Sequence, residues 1–201
     1  MKHDAPWDRL IHHPASFVER LKVAELFPAL QPLEAELGSG DGSFLVEYAK
    51  VHPQRNFLGV ERLFGRMKKL AKKGLRAGLA NLRVLRIEAA YFLEYLLPHE
   101  SIAALHVYFP DPWPKRRHHK NRLVNARFPE IARQALAPQG VVYLRTDDAD
   151  YFAQMTAVFT ANAAFHPVDT PAELAGVVTD FERDFNARGV ATLRAAYQRV
   201  V

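Results

Sequence analysis

The stretch Leu33-Glu34-Ala35-Glu36-Leu37-Gly38-Ser39-Gly40-Asp41-Gly42 decides the fold. A short strand runs into a G-x-G-x-G turn, and a helical segment starts at Ser43. Glycines at such a turn permit positive φ and let a ligand approach the backbone closely. At the C-terminal edge of an open sheet this is a place for a nucleotide or an adenosine-like ligand. The third glycine comes one residue earlier than in the G-x-G-x-x-G fingerprint of dinucleotide sites. Glu36 stands just before the turn. A carboxylate there repels a pyrophosphate, which a helix N-terminus otherwise attracts. It suits a ligand that carries an ammonium and a sulfonium, so the turn favours S-adenosylmethionine over NAD. The plain alternative is a tight glycine turn that holds no ligand.

Moving outward, short apolar runs alternate with longer amphipathic segments. Strands are expected at Leu33–Leu37, Asn56–Val60, Arg83–Ile87, Ala104–Phe109 and Val141–Thr146, and helices at Ser43–Val51, Leu63–Gly78, Ala90–Leu97, Leu123–Leu136 and Ala149–Asn162. This alternation predicts an α/β fold with a mostly parallel sheet covered by helices on both faces. Pro167–Ala175 reads as a loop and Ala191–Val201 as a closing strand. Residues 1–32 hold four prolines and no clear strand, so they read as an N-terminal arm or single helix on a domain spanning 33–201.

Two further acids end strands. Glu61 closes "NFLGVE", about twenty residues past the glycines, where a carboxylate can accept from ribose hydroxyls. Glu88 closes the third strand in "RIEAA" and can accept from an adenine amino group or a neighbouring backbone group. The helix after Glu61 carries Arg62, Arg66, Lys69, Lys73 and Arg76 on one stripe. That stripe is either a solvated face or a track for phosphates.

The fourth strand runs into Pro110-Asp111-Pro112-Trp113-Pro114. Three prolines stiffen this loop and bias each preceding residue to extended backbone. One carboxylate and one indole on a rigid loop suit a base pocket, the carboxylate facing a guanine's N1–H and amino edge and the indole offering a stacking face. Lys115-Arg116-Arg117-His118-His119-Lys120-Asn121-Arg122 follows, with five Lys or Arg and two His among eight residues. Such density fits a phosphate-binding surface. Adjacent histidines point apart on a helix or strand and no acid cluster accompanies them, so no metal site is expected. The chain has no cysteine, which excludes disulfides and thiolate chemistry, and its net charge of +5 favours an anionic partner. The N-terminus lacks the apolar run of a signal peptide and no stretch is long enough to span a membrane, so the chain reads as soluble and cytoplasmic.

The run "FPDPWPKRRHHKNRLV", behind "ELGSGDG" and "FLGVE", resembles the tRNA (guanine-N7-)-methyltransferase family. The resemblance runs from about Leu33 to the C-terminus. It implies a Rossmann-like class I methyltransferase fold with a seven-stranded sheet, S-adenosyl-L-methionine as cofactor, and tRNA as partner of a monomer or homodimer. The implied reaction is methylation of N7 of a guanosine in the tRNA variable loop. It also implies that Glu36, Gly38, Gly40, Glu61 and Glu88 bind the cofactor, and that Asp111 touches the cofactor and is catalytic. Substrate contacts are implied for Lys115, Arg117, His118, His119, Lys120, Asn121, Arg122, Asp147, Thr179, Asp180, Phe181 and Glu182. Several positions depart from the family pattern: Glu88 stands where Asp is usual, Asn121 where Arg is common, Asp180 where Lys is usual, and Ser39 where an aromatic is common. Taken without the resemblance, Asp147 is as well explained as a helix N-cap and Glu182 as a solvated acid.

Competing functions are methylation of an exocyclic amine, a non-catalytic RNA-binding subunit that keeps the fold, and an NAD-dependent oxidoreductase. The basic run opposes the first. The intact glycine turn with Glu61 and Asp111 opposes the second. Glycine spacing and Glu36 oppose the third.

Overall fold

A computed structural model describes residues 5–200. The expected N-terminal arm and closing strand extend over residues 1–4 and 201, which lie outside the described residues. One sheet of eight strands organises the chain, in the order β1-β4-β3-β2-β5-β6-β8-β7. The strands are β1 (Ile11–His12), β2 (Leu33–Leu37), β3 (Asn56–Val60), β4 (Leu82–Leu85), β5 (Ile102–Tyr108), β6 (Leu136–Thr146), β7 (Phe165–Val168) and β8 (Leu193–Arg199). β1 through β6 pair in parallel, and β8 is antiparallel to both neighbours. β2 and β3 are buried at every residue, as expected for strands covered on both faces.

The helices fall on the two faces. α1 (Leu45–Val51) and α2 (Phe64–Arg76) cover one, with the 3-10 turn Pro6–Leu10 laid against α2. Leu45, Met67, Leu70 and Ala71 bury there against Phe57, Leu82 and Val84. The other face carries α3 (Ala89–Tyr91), which widens into a π-helical turn over Phe92–Leu96, then α4 (Phe128–Ala135) and α5 (Ala149–Thr160). Phe92, Leu96, Phe128, Met155 and Phe159 form that core with Leu58, Leu105 and Leu144. Two short helices, α6 (Ala172–Gly176) and α7 (Asp180–Ala187), lie between β7 and β8.

Three expectations change. The sheet has eight strands rather than seven, because the proline-rich N-terminal segment contributes the two-residue β1 as an edge strand on β4. The segment expected as a loop, Pro167–Ala175, begins inside β7 and ends inside α6. α4 starts at Phe128 instead of Leu123. Val124 N donates to the Tyr151 hydroxyl and Asn125 closes a turn onto the Arg127 N–H, so helix waits for Pro129 in the first turn.

Two buried polar seams cross the sheet. Glu34 accepts from Arg55 and pairs with His106 at 2.8 Å each, and His106 Nδ1 meets the Tyr108 hydroxyl at 2.8 Å. Burial pushes Glu34 up, but its partners His106 and Arg55 outweigh that and hold it below the usual carboxylate range. The second seam is Arg145 of β6. Its guanidinium is fully buried, donates to Glu182 at 2.9 Å and to the carbonyls of Val177 (2.8 Å) and Leu174 (2.5 Å), and lies 4.3 Å over the Tyr108 ring. Glu182 also accepts from Arg194 at 2.9 Å and closes a capping box with Thr179. One side chain thus fastens α6, α7 and β8 to the centre of the sheet.

Removing one partner of a buried ion pair strands the other charge, at a cost of about 3–5 kcal/mol. Glu182→Ala is expected to lose stability of that order in urea unfolding, whereas Asp180→Ala, at the exposed start of α7, is expected to lose less than about 1 kcal/mol. Equal stability of the two variants contradicts the anchoring role.

Candidate active site

The order of strands reverses between β2 and β5: β3 and β4 lie to one side, β6 and β8 to the other. At such a switch point the loops leaving neighbouring strands diverge and open a crevice beyond their C-terminal ends. Here those loops are the glycine turn after Leu37 and Phe109–Pro114 after Tyr108.

Gly38, Gly40 and Gly42 take φ of 72, 56 and 79°. Gly42 is also closed to side chains by packing, since an added Cβ would lie 2.1 Å from Leu70 Cδ1. The turn is tied to β3. The Gly38 and Ser39 N–H groups donate to Val60 O, and Gly40 N donates to Glu61 Oε2 at 3.0 Å. Glu61 Oε1 accepts from Leu63 N at 2.7 Å. Each carboxylate oxygen keeps a second lone pair, so these bonds orient Glu61 without exhausting it. Glu88 is the N-cap of α3 and accepts from Ala90 N and Tyr91 N. Of the two roles the sequence left open for it, the bond to neighbouring backbone is thus made.

Two cavities of about 300 and 350 Å³ open in the crevice. The first is walled by Val60, Glu61, Ile87, Glu88, Trp113 and Asn121. The second is walled by Glu36, Gly40, Asp147, Thr179, Phe181 and Phe185. They share Gly38, Arg66, Tyr108 and Phe109–Asp111. Phe109 holds a positive φ of 49°, sparsely populated for a bulky residue. Arg145 helps to hold it there: Phe109 N donates to Arg145 O at 2.8 Å. The Phe109 ring packs on those of Phe181 and Phe185, with centroids 6.3 and 5.9 Å away. Trp113 likewise has φ of 47° and rests edge-on against His118.

The cavities gather Glu36, Gly38, Gly40, Glu61, Glu88, Asp111, Asn121, Asp147, Thr179 and Phe181. Asp148, not Asp147, caps α5, accepting from Tyr151 N at 2.7 Å, so Asp147 is left to the cavity. Lys115, Arg117, His118, His119, Lys120 and Asn121 belong to an exposed to half-exposed segment whose 3-10 turn spans Arg116–Asn121, beyond the Trp113 wall. His119 turns inward, its Nε2 3.8 Å from Asp150.

Two expected substrate contacts are corrected. Arg122 is buried: it donates to Pro112 O (2.7 Å), Gln154 (2.8 Å) and Asp150 (2.6 Å), and lies 4.8 Å over the Tyr151 ring. Its guanidinium is spent on holding the loop, not offered to phosphate. Glu182 is buried against Arg145 and Arg194, so it shapes the wall without facing the cavity. Asp180 is exposed at the rim and faces Arg183 and, at 3.8 Å, Lys73. The sequence reading missed Phe109, which lines both cavities, and Arg145, whose one signal was an arginine inside the apolar run "VVYLRT"; Arg66, read there as part of a solvated or phosphate-tracking stripe, lines both cavities as well.

Glu36 tests the fit of the cofactor. Its Oε2 is buried with no hydrogen-bond partner. Burial raises its pKa to about 8, opposed by Arg145 and reinforced by Glu61 and Asp41. An orphaned buried acceptor in an acidic surround is a site for an ammonium group. With Glu61 and Glu88 lining the first cavity, the residues present fit S-adenosyl-L-methionine.

The parallel sheet with its reversal, the glycine turn and the acids Glu36, Glu61 and Glu88 around the crevice define a Rossmann-like class I methyltransferase. Comparison with known proteins agrees. Residues 30–195 match a family model described as "Putative methyltransferase". The chain is 38% identical over 170 residues to a tRNA (guanine-N(7)-)-methyltransferase of Syntrophotalea carbinolica, covering 83% of this chain and 73% of that protein. It is 40% identical over 139 residues to one of Chromohalobacter salexigens, covering 69% of this chain but 56% of the relative, so the match takes in little more than half of that protein's length. The chain belongs to the tRNA (guanine-N(7)-)-methyltransferase family. Among solved structures it shares its fold with the 16S rRNA methyltransferase KamB (TM-score 0.60, 18% identity, 85% of this chain and 89% of that one). It also shares it with TrmN from Thermus thermophilus (TM-score 0.60, 16% identity, 85% and 45%).

Glu36 is expected to link binding of an ammonium-bearing ligand to proton release. Its raised pKa means that the free protein holds a proton there between the unfolded value of 4.5 and about 8. This contribution to stability is complete below 4.5 and is lost as pH rises towards 8. An ammonium group beside Glu36 favours the carboxylate, so binding of S-adenosylhomocysteine near neutral pH is expected to release close to one proton. Calorimetry in buffers of different ionisation enthalpy reads this directly. Glu36→Gln is expected to abolish the release and weaken binding. Buffer-independent heats with the unaltered protein refute the assignment.

Proposed function

We propose that this protein transfers the methyl group of S-adenosyl-L-methionine to N7 of a guanosine in the variable loop of tRNA. Its family relatives are named for methyl transfer to guanine N7 in tRNA. The observation that carries the residue assignment is the position of Asp111: alone among the acids at the site it lines both cavities, and it is exposed there with no internal partner among the described residues.

Glu36 receives the ammonium of the cofactor, Glu61 its ribose, and the backbone of the glycine turn lies along it. When bound, the cofactor supplies an electrophilic methyl on a sulfonium, and sulfur leaves with the bonding electron pair. Guanine N7 has an in-plane lone pair and loses no proton, so the protein needs no strong base. Its task is to place the base in line, which is worth several powers of ten in rate. Asp111 accepts from the N1–H and amino edge and offsets the positive charge that the alkylated ring acquires. Pro110, Pro112 and Pro114 keep that carboxylate from drifting, and Trp113, at the rim of the first cavity, gives the base a face to lie against. Lys115, Arg117 and Lys120, exposed beyond Trp113, hold RNA phosphates and make affinity fall with salt.

The test is incubation with unmodified tRNA and labelled S-adenosylmethionine, then mapping by borohydride–aniline cleavage, to which N7-methylguanosine is labile. Label in the variable loop at a cleavable guanosine is expected. Label on an exocyclic amine overturns the proposal. Asp111→Ala is expected to cut turnover by at least about a hundredfold while leaving cofactor affinity within about tenfold, and full activity in that variant removes Asp111 from the chemistry.

A further inference from the structure

Apart from Arg66, the outer ridge of α2 plays no part in the site described above. Between Arg62 and Ile87 the chain has nine Lys or Arg and not one Asp or Glu. Arg66, Lys69, Lys73 and Arg76 repeat every three or four residues and so form one ridge, about 15 Å long at the helical rise. Lys73 is engaged, with Asp41 at 2.7 Å and Asp180 at 3.8 Å. Among the described residues, the other ridge cations form no ion pair.

Other surface helices of this protein pair their charges within a turn: Lys50 with Glu47 on α1, Arg133 with Glu130 on α4, Arg183 with Asp180 on α7. α2 does the opposite. Lys69 faces Lys72 and Lys73, and Lys72 faces Arg76, all at spacings where like charges repel. Arg66, Lys68 and Lys69 also crowd the first half of the helix, nearer the positive end of its dipole. A face made only for solubility gains nothing from this, because mixed charge serves solubility without the repulsion. A polyanion relieves both penalties at once.

Arg66, Lys69 and Arg76 of the ridge are exposed, and further cations flank it on aromatic rings. Lys68 Nζ sits 5.2 Å from the Trp7 ring, and Arg86 lies 5.5 Å from the Phe64 ring. The ridge is also continuous with the crevice, since Arg62 and Arg66 line the first cavity together with Trp113 and Asn121.

We propose that the α2 ridge is a second RNA-binding surface, which takes phosphates of a tRNA segment separate from that held at Lys115–Lys120. The inference rests on the tRNA assignment above. The crevice then lies between two positive surfaces, and the RNA is gripped on both sides of the target nucleotide.

Lys69→Gln/Lys72→Gln/Arg76→Gln tests this. The three residues are exposed and lie outside both cavities, and Gln is a good helix former. Binding of an unmodified tRNA transcript is measured across a salt series, with S-adenosylhomocysteine binding by calorimetry as the check on the fold. The triple variant is expected to keep its S-adenosylhomocysteine affinity and to lose about tenfold or more in tRNA affinity, with a shallower dependence of log K on log salt, by about 2 to 3. Lys69→Arg/Lys72→Arg, which keeps the charge, is expected to bind tRNA like the unaltered protein. Unchanged tRNA affinity and slope in the Gln variant overturn the second surface while leaving the tRNA assignment intact. An unaltered protein that binds S-adenosylhomocysteine but not tRNA overturns the assignment itself, and the second surface with it.

Discussion

A guanidinium buried in the middle of a parallel sheet needs an anion or it unfolds its surroundings. Arg145 meets that need with Glu182 and two carbonyls, all drawn from the segment between β7 and β8. The chain therefore cannot close its core without bringing α6 and α7 over the ends of β5 and β6. That places Thr179, Phe181 and Phe185 on the cavity wall. It also brings Phe185 and Phe181 onto Phe109, whose backbone N–H is held by the Arg145 carbonyl. One electrostatic requirement in the core so fixes the far wall of the crevice and steadies the first residue of the loop that carries Asp111.

The near wall is set by different physics. Backbone hydrogen bonds, not ion pairs, hold the glycine turn to β3, and Glu61 clamps both Gly40 and Leu63 through their N–H groups. Among the described residues of this wall, Glu36 Oε2 and Ser39 Oγ are left without a hydrogen-bond partner. The division is chemically sensible. The backbone of the turn is tied down, and the carboxylate proposed to receive an ammonium group keeps a free acceptor.

Much of this was legible in the sequence because parallel strands are apolar on both faces. β2 and β3 match their expected bounds, and the glycine turn lies where its spacing put it. β1 was hidden because two residues amid prolines carry no periodicity. Lengths of helix were overestimated where a local cap overrode an apolar pattern, as before α4. The site residues divided along another line. Charge density in Lys115–Arg122 marked a surface, but nothing in it said that Arg122 would turn inward. Its acceptors on Asp150 and Gln154 lie 28 and 32 residues away. Glu182 was misplaced for the same reason, since its partner Arg145 is 37 residues distant. Composition shows how many charges a segment has. Only the tertiary contact shows which of them are already neutralised.

The order of strands at the β6 edge has a kinetic side. β8 follows β7 in the chain yet lies between β7 and β6. β7 can therefore join the sheet only through β8, and the loop that carries α6 and α7 is closed by the same event. Contacts that span such loops form late, because the loss of chain entropy precedes their reward. The wall bearing Phe181 and Phe185 therefore depends on the pairing of β6 with β8, whereas the glycine turn is tied to β3 by partners about twenty residues away. Loss of the β6–β8 pairing would release that wall and leave the ties of the glycine turn in place.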